Sequence, residues 1–316
     1  MDCLAGAARS AGATALFDTK AICLIVASDG TVAGAVARRY GAELTIRARR
    51  GVVLTTGGFV DNDAMVAAHA PKLLGHTKVS AGTDDGSGIR MAQALGAAVR
   101  HMATGQVGIA LVPGLAARGM VVNGHGQRFV NEDTYPGRIG QAALFRHGMR
   151  AWVVLDERAF EEVPERQRWG ARPTHVAETA EELADLIGVP AAALADTVRR
   201  YNDFAQRGAD PEFGKAARWV RPLTPPFAAI DVRAGVRPPA ETGDRRGTGA
   251  SVFTLGGLHT SLDGAVLDFD GAPIPGLFAA GRAASNLHGE GYISGTSLGD
   301  GTYFGRRAGV AAARDA

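Results

Sequence analysis

Three glycine-rich segments sit where regular structure starts or stops, and they constrain the fold of this chain more than any other feature. They are Thr55-Thr56-Gly57-Gly58-Phe59 after an apolar run, Ala280-Gly281-Arg282 after another, and Ser294-Gly295-Thr296-Ser297-Leu298-Gly299-Asp300-Gly301 at the head of a helical pattern. The chain carries 43 glycines in 316 residues, nearly twice the usual share and without the period of collagen. Glycine at the end of an apolar run lets backbone approach a ligand closely. Singly, each segment reads as an ordinary turn. Together, two strand-to-glycine turns and a Gly/Ser-capped helix make a cradle suited to a long dinucleotide. The amides of Ser297 and Leu298 at that helix start are placed to meet developing negative charge.

Composition narrows the class. With 46% hydrophobic and 21% charged residues the chain buries a real core and does not read as disordered. Net charge is +2, and the basic residues fall in short clusters on different segments: Arg38-Arg39, Arg47 to Arg50, Arg245-Arg246 and Arg306-Arg307. Such scatter reads as solvated surface and not as a nucleic-acid stripe. Cys3 and Cys23, the two cysteines, lack metal-ligand spacing, which predicts a reducing compartment, no disulfide framework and no metal site. No run reaches the roughly 18 apolar residues of a membrane span. Met1 to Ala13 lacks the pattern of a signal peptide, so a cytoplasmic location is expected.

Along the chain, residues 1–13 read as a helix end closed by Gly12. Residues 21–27 and the segment VAGAVARR read as strands joined at Asp29-Gly30, with another turn at Tyr40 to Glu43 and a buried strand in GVVLTTGGF. The segment at 83–98 reads as a cap-rich turn into a helix. Its Gly/Asp-rich start is either an ordinary cap or a phosphate-holding N-terminus, and the ordinary cap is the plainer reading. From 107 the pattern changes: VVNGHGQRFVNEDTY reads as strand, turn, strand and polar loop, AWVVLDE as a strand, and AETAEELADLIG and PAAALADTVRRYNDFAQRG as helices. From 254 the first pattern resumes, with TLGGLHTSLDGAVLD as a hairpin, PIPGLFAAGRA as a strand into a glycine turn, and a long final helix. The expected organisation is a domain at 1–106 and 254–316, interrupted by an α+β domain at 107–253.

The segments TLGGL, PIPGLFAAGR, HGEGY and GDGTYFGRRAG, with RRGVVLTTGGF and DGSGIRMAQALGA upstream, resemble the FAD-binding domain of the fumarate reductase/3-ketosteroid dehydrogenase superfamily. GQRFVNED and TVRRYNDFAQRGADPEFGK resemble its capping domain. The resemblance implies an α/β plus α+β fold: an incomplete Rossmann-like FAD-binding domain interrupted by the α+β cap, with FAD between them. It implies cofactor contacts from Thr56, Gly57, Gly58, Asp85, Gly281, Arg282, Ser297 and Leu298. The family's opening strand, GxGxxG turn and helix do not precede Met1, so a companion N-terminal chain is an expected partner. A truncated or split, inactive flavoprotein is the non-enzymatic alternative.

Residue types at the reacting end choose between branches of that superfamily. A dicarboxylate reductase places an arginine five residues after the Asn of its NE loop, where Pro136 stands here. It places another where Tyr292 stands, and a histidine where Phe253 stands. Tyr135, Tyr292 and Ser294 instead resemble the 3-ketosteroid dehydrogenases, most closely the Δ4-(5α) type. Desaturating a ketone removes an α proton and a β hydride, and the carbonyl oxygen wants a neutral donor. A phenol, ordinary pKa about 10, is such a donor at neutral pH. The resemblance implies Tyr292 as carbonyl-oxygen donor, Ser294 as proton acceptor and Tyr135 as its relay. The expected substrate is a small, hydrophobic, steroid-like ketone, with an external electron acceptor. A fumarate/succinate-type reaction using Arg138 or Arg282 stays open. Tyr135 as a packing residue and Ser294 as a helix cap also stay open. His288 falls in the flavin-facing segment and His259 in a hairpin, and no histidine is expected to be catalytic.

Overall fold

A computed structural model describes residues 2–233 and 250–314. The Arg245-Arg246 pair lies outside the described residues. The chain opens with α1 (Asp2–Ser10), then a meander of β1 (Thr19–Val26), β2 (Val32–Arg39) and β3 (Ala42–Arg47). Local turn chemistry sets its register. Asp29 accepts a hydrogen bond from the Thr31 amide at 3.0 Å, and that bond holds its carboxyl below the ordinary value. Between β2 and β3 the turn is tighter than the sequence suggests: Tyr40 and Gly41 alone, with φ of 48° and 85°, the doubly positive pattern of a two-residue hairpin.

A short β4 (Val52–Leu54) leaves the meander and is followed by α2 (Asp63–His69), β5 (Thr77–Lys78), α3 (Ser87–Gln93), β6 (Val99–Arg100) and β7 (Gly105–Ile109). The strand expected across 51–59 therefore stops at Leu54, three residues before Gly57. Next come α4 (Pro113–Arg118), β8 (Met120–Asn123), α5 (Pro136–His147), β9 (Ala151–Asp156), α6 (Glu157–Glu161), β10 (His175–Ala177), α7 (Ala180–Ile187), α8 (Ala191–Ala205) and β11 (Phe227–Asp231). The last part holds β12 (Ala250–Thr254), β13 (Gly257–Leu258), β14 (Ala265–Leu267), β15 (Pro273–Ala279) and α9 (Thr296–Arg314).

The result is a mixed α/β structure with several small sheets. β15 runs parallel to β4 and antiparallel to β14. β7 pairs with β12, with Gly105 opposite Thr254. The antiparallel sheet β10-β11-β9-β8 is covered on both faces, which explains why all six residues of β9 are buried. Val121, Val153 and Leu155 face the core shared with Leu54, Phe59, Ile139 and Leu277. Their alternating neighbours Met120, Val122, Trp152 and Val154 face a second core under α7 and α8, with Leu183, Leu194 and Tyr201.

Two expected hairpins shrink. The second strand of VVNGHGQRFVNEDTY is reduced to one bridge, Val122 opposite Arg128, because Arg128 turns into a buried ionic cluster. Within TLGGLHTSLDGAVLD only Thr260 and Val266 face each other, while Gly257–Leu258 pairs with β6. The glycine segment 294–301 also differs: the helix has begun by Thr296, so Gly299 and Gly301 are helical. Among the described residues no helix is long and apolar enough to cross a membrane.

Candidate flavin and active site

The glycine turns after the parallel neighbours β4 and β15 come together. Gly57 has a φ of 77°, and a Cβ there would stand 2.1 Å from Asp84 Oδ1. A Cβ on Gly58 would stand 2.4 Å from Thr254 Oγ1, the acceptor of the Phe59 amide at 3.1 Å. From the β15 side, Arg282 Nη2 approaches Asp84 Oδ2 at 2.5 Å as an ion pair without hydrogen-bond alignment. The other terminal nitrogen of Arg282, Nη1, is buried without a protein partner. Gly57 and Gly58 are thus required by the close approach of Asp84 and Thr254, while the unsatisfied guanidinium nitrogen and an open helix start at Ser297 and Leu298 are features that fit a polar planar cofactor. Gly281, with φ 63°, starts the single turn that aims Arg282.

Sequence reasoning named Asp85 and missed Asp84. The two neighbours point differently. Asp84 is 6% exposed and faces Gly57 and Arg282. Asp85 accepts from the Ser87 amide at 2.9 Å, just before α3, and pairs with Lys20 on β1 at 3.3 Å. The Ser87 hydroxyl is the main reason its carboxyl sits below the ordinary value, with the Ser87 amide and Lys20 adding to it against partial burial. Asp85 still shares a cleft of about 750 Å³ with Thr56 and Gly57.

The residues expected at the reacting end lie where 131–135 meets 288–296. The Ser294 amide donates to Tyr135 Oη at 3.1 Å. The structure thus brings two of the expected residues together, through the backbone of Ser294. Tyr292 stands edge-on to Phe253 at 5.1 Å between ring centroids, and Phe253 lies under the Arg282 guanidinium at 5.2 Å. This stack joins the tyrosine to the glycine wall. Ser294 and Leu298 are exposed, Tyr135, Tyr292 and Ser297 half-buried.

His288, placed by the sequence in the flavin-facing segment without a catalytic role, packs against the Tyr292 ring at 5.0 Å. Its Nε2 lies 2.7 Å from Thr296 Oγ1, which donates its own proton to the Ile293 carbonyl at 2.5 Å. Thr296 must therefore accept, and the bond assigns the proton to Nε2. Burial pushes the imidazole pKa down, offset in part by the nearby Asp300. Burial pushes Asp300 up, against the Leu287 amide and His288.

Tyr135 is held by the loop before it. Asn131 accepts the Asp133 amide at 2.8 Å, Asp133 accepts the Ala216 amide at 3.0 Å, and Glu132 accepts the Val121 amide at 3.1 Å. A Cβ on Gly137 would lie 2.5 Å from the Tyr135 ring and 2.6 Å from Gln106 Nε2, so α5 presses close behind the phenol. Beneath the loop Arg128 forms paired bonds to Glu132 and to Asp210, all between 2.8 and 2.9 Å. Lys215 Nζ completes the cluster, 3.1 Å from Glu132. Burial works against the Arg128 charge, but Asp210 and Glu132 outweigh it and hold its pKa above the ordinary value. The Tyr201 phenol, under the Arg128 guanidinium, is pushed up to about 12 by burial and by Glu132. These partners lie inside the motifs GQRFVNED and ADPEFGK, so their presence was visible and their mutual contact was not.

Comparison with known proteins follows the geometry. A family model described as an FAD binding domain matches residues 1–298. A probable fumarate reductase of Shewanella frigidimarina is 29% identical, over 100% of this chain and 53% of its own length. A 3-oxosteroid 1-dehydrogenase of Mycobacterium tuberculosis is 31% identical, over 82% of this chain and 52% of its own. Among solved structures, a 3-ketosteroid-Δ4-(5α)-dehydrogenase from Rhodococcus jostii, in complex with 4-androstene-3,17-dione, superposes with a TM-score of 0.88. It is 44% identical over 98% of this chain and 62% of that one. The chain thus spans about half the length of the curated relatives it matches.

Proposed function

We propose, for a chain that belongs to the FAD binding domain family, an FAD-dependent desaturation of a steroid-like ketone next to its carbonyl. FAD is the cofactor of the family. When bound, it supplies the acceptor for the hydride leaving the β carbon. Gly57, Gly58, Gly281, Arg282 and the start of α9 are the residues we assign to holding it, in a Rossmann-like half, with 107–253 as the capping half.

The observation that carries the reading is the Ser294 amide on Tyr135 Oη, beside a Tyr292 stacked on Phe253. In our reading Tyr292 donates its O–H to the carbonyl oxygen as that oxygen gains charge. In the same step Ser294 Oγ takes the α proton while giving its own hydroxyl proton to Tyr135, and the phenol proton of Tyr135 passes on to solvent. The Ser294 amide already occupies the Tyr135 oxygen as a donor, which favours the phenol's proton leaving and leaves that proton free to point away. Phe253 lines the site without offering charge, which suits a neutral ketone better than a dianion. The 29% identity with a fumarate reductase supports a dicarboxylate as the second reading.

The test is to load the protein with FAD and supply a 5α-3-ketosteroid with an artificial electron acceptor, and in parallel fumarate with a reduced dye. Acceptor reduction that depends on the ketone is expected. Fumarate turnover without ketone turnover overturns the proposal in favour of the second reading.

A further inference from the structure

Gln106 is buried beside the two phenols, and none of the steps above uses it. It stands on β7 directly opposite Phe253 on β12, and opposed side chains of an antiparallel pair share one face of the sheet. Phe253 in turn stacks on the Tyr292 ring, so one residue separates Gln106 from that phenol. Its approach to Tyr135 is closer. A Cβ on Gly137 would stand 2.5 Å from Tyr135 Cε1, 2.6 Å from Gln106 Nε2 and 3.1 Å from Gln106 Oε1. The edge of the phenol and both ends of the amide therefore converge on the notch that Gly137 leaves open. Gln141 Nε2 donates to the Gly105 carbonyl at 2.8 Å, which ties α5 to β7 and holds the two sides of the notch together.

Gln106 is 7% exposed, and its Oε1 is buried without a hydrogen-bond partner. A buried acceptor left unpaired costs free energy that a methionine in the same place would not. An amide has a use there beside a phenol that changes charge. With Oε1 untied, the amide turns about its last bond without breaking a hydrogen bond at that end. Either its N–H or its C=O can then face Tyr135, whose Oη already accepts the Ser294 amide at 3.1 Å. We propose that Gln106 is a positioning residue of the Tyr135 relay: as the phenol proton leaves for solvent and the Ser294 proton arrives, Nε2–H donates to Oη and steadies the charge passing through that oxygen. The amide takes up no proton, so the balance of the step is unchanged. This rests on the ketone-desaturase reading above and adds to it a residue that acts through Tyr135.

The experiment uses the FAD-loaded protein with a 5α-3-ketosteroid and an artificial electron acceptor. Gln106→Met is made in the parent, in Tyr135→Phe and in Tyr292→Phe. In the parent it should lower kcat about tenfold, which is ~1.4 kcal/mol, and leave KM within about twofold. The same tenfold loss is expected in Tyr292→Phe. In Tyr135→Phe the further loss should fall below about twofold, because the oxygen that the amide serves is gone. Gln106→Glu has the same shape and gives a second measure. Its carboxyl donates only while protonated, so kcat should fall as pH rises through its titration, a limb that the parent profile lacks. Melting temperatures separate misfolding from a lost relay, and if Gln106→Met does not fold, Gln106→Glu carries the test. A tenfold loss in Tyr135→Phe as well, or a Gln106→Glu profile parallel to the parent's, overturns the inference and leaves the desaturase reading intact. Fumarate turnover by the parent without ketone turnover overturns the desaturase reading and the inference with it.

Discussion

Two arms meet at the hydrogen bond between Ser294 and Tyr135, and they are built in opposite ways. The Tyr135 arm rests on a buried ionic cluster whose Arg128 side chain is 1% exposed and is anchored by three successive polar side chains of its loop. The Tyr292–Ser294 arm has a histidine–threonine bond and a ring stack, and it leaves Leu287 and Ile293 more than half exposed. One arm has few alternatives because any displacement strands a buried charge. The other can move at the cost of a hydrogen bond or two. A site made this way has a fixed wall and a yielding one, and we infer that ligand entry is accommodated by the second.

The largest effect that would break this comparison is on stability. Arg128→Ala leaves Asp210 buried without its cation, and Glu132 with Lys215 alone, and should cost about 3–5 kcal/mol in urea unfolding. His288→Ala removes one neutral hydrogen bond and some packing, and should cost about 1–2 kcal/mol. Equal losses would mean that the arms do not differ.

Next in size is Tyr292→Phe, which keeps the ring stack and deletes the hydroxyl. It should lower kcat by about 10²–10³ while the melting temperature stays within a degree or two of the parent. Tyr135→Phe should follow with a loss nearer 10², at the low end for a proton-transfer group. It also frees the Ser294 amide. Faster amide exchange at Ser294, with unchanged exchange across 120–123, would sharpen the contrast between a yielding and a fixed arm.

The smallest effect is a separation of two acid limbs. The His288 folded pKa lies below its ordinary value, chiefly through burial. Below about pH 6.5 the unfolded chain binds a proton that the folded chain resists, so stability falls as pH drops from there toward the folded value. His147 and His259 shift the same way, so the measurement is the difference between wild type and His288→Gln, which should lose part of this limb. Burial raises Asp210, but Arg128 outweighs it and the carboxyl ends below its ordinary value. Its contribution is present above the unfolded value of about 4 and is lost as pH falls through the folded one. The fixed arm should therefore weaken only at a pH well under that of the yielding arm. A single limb shared by wild type and His288→Gln would contradict this.

Much of the site was legible because its signals are local or belong to a family. Asp29-Gly30 and Tyr40-Gly41 dictate turns by themselves, and the NED-to-Tyr135 spacing carries its own resemblance. What escaped depends on distant partners or on orientation. Arg128 meets Asp210 across 82 positions, and that contact overrode the strand expected at 128. Asp84 and Asp85 are equivalent as letters. Only the paths of β1 and α3 decide that one turns toward Gly57 and the other toward Lys20. The position of His288 was visible, but its bond to Thr296 was not, because that partner is chosen by where α9 begins.

The pairing of β7 with β12 bears on the order in which this chain assembles. Gly105 and Thr254 are adjacent in space and almost half the chain apart in sequence. Closing so long a loop from an unstructured state costs about 4 kcal/mol of chain entropy beyond a constant. If the stretch between them has already condensed around its own sheet and helices, its ends are delivered close together and most of that cost disappears. The pair is thus expected to close late in folding, after the middle of the chain, together with the β4–β15, β5–β12 and β6–β13 pairs that also register the outer segments.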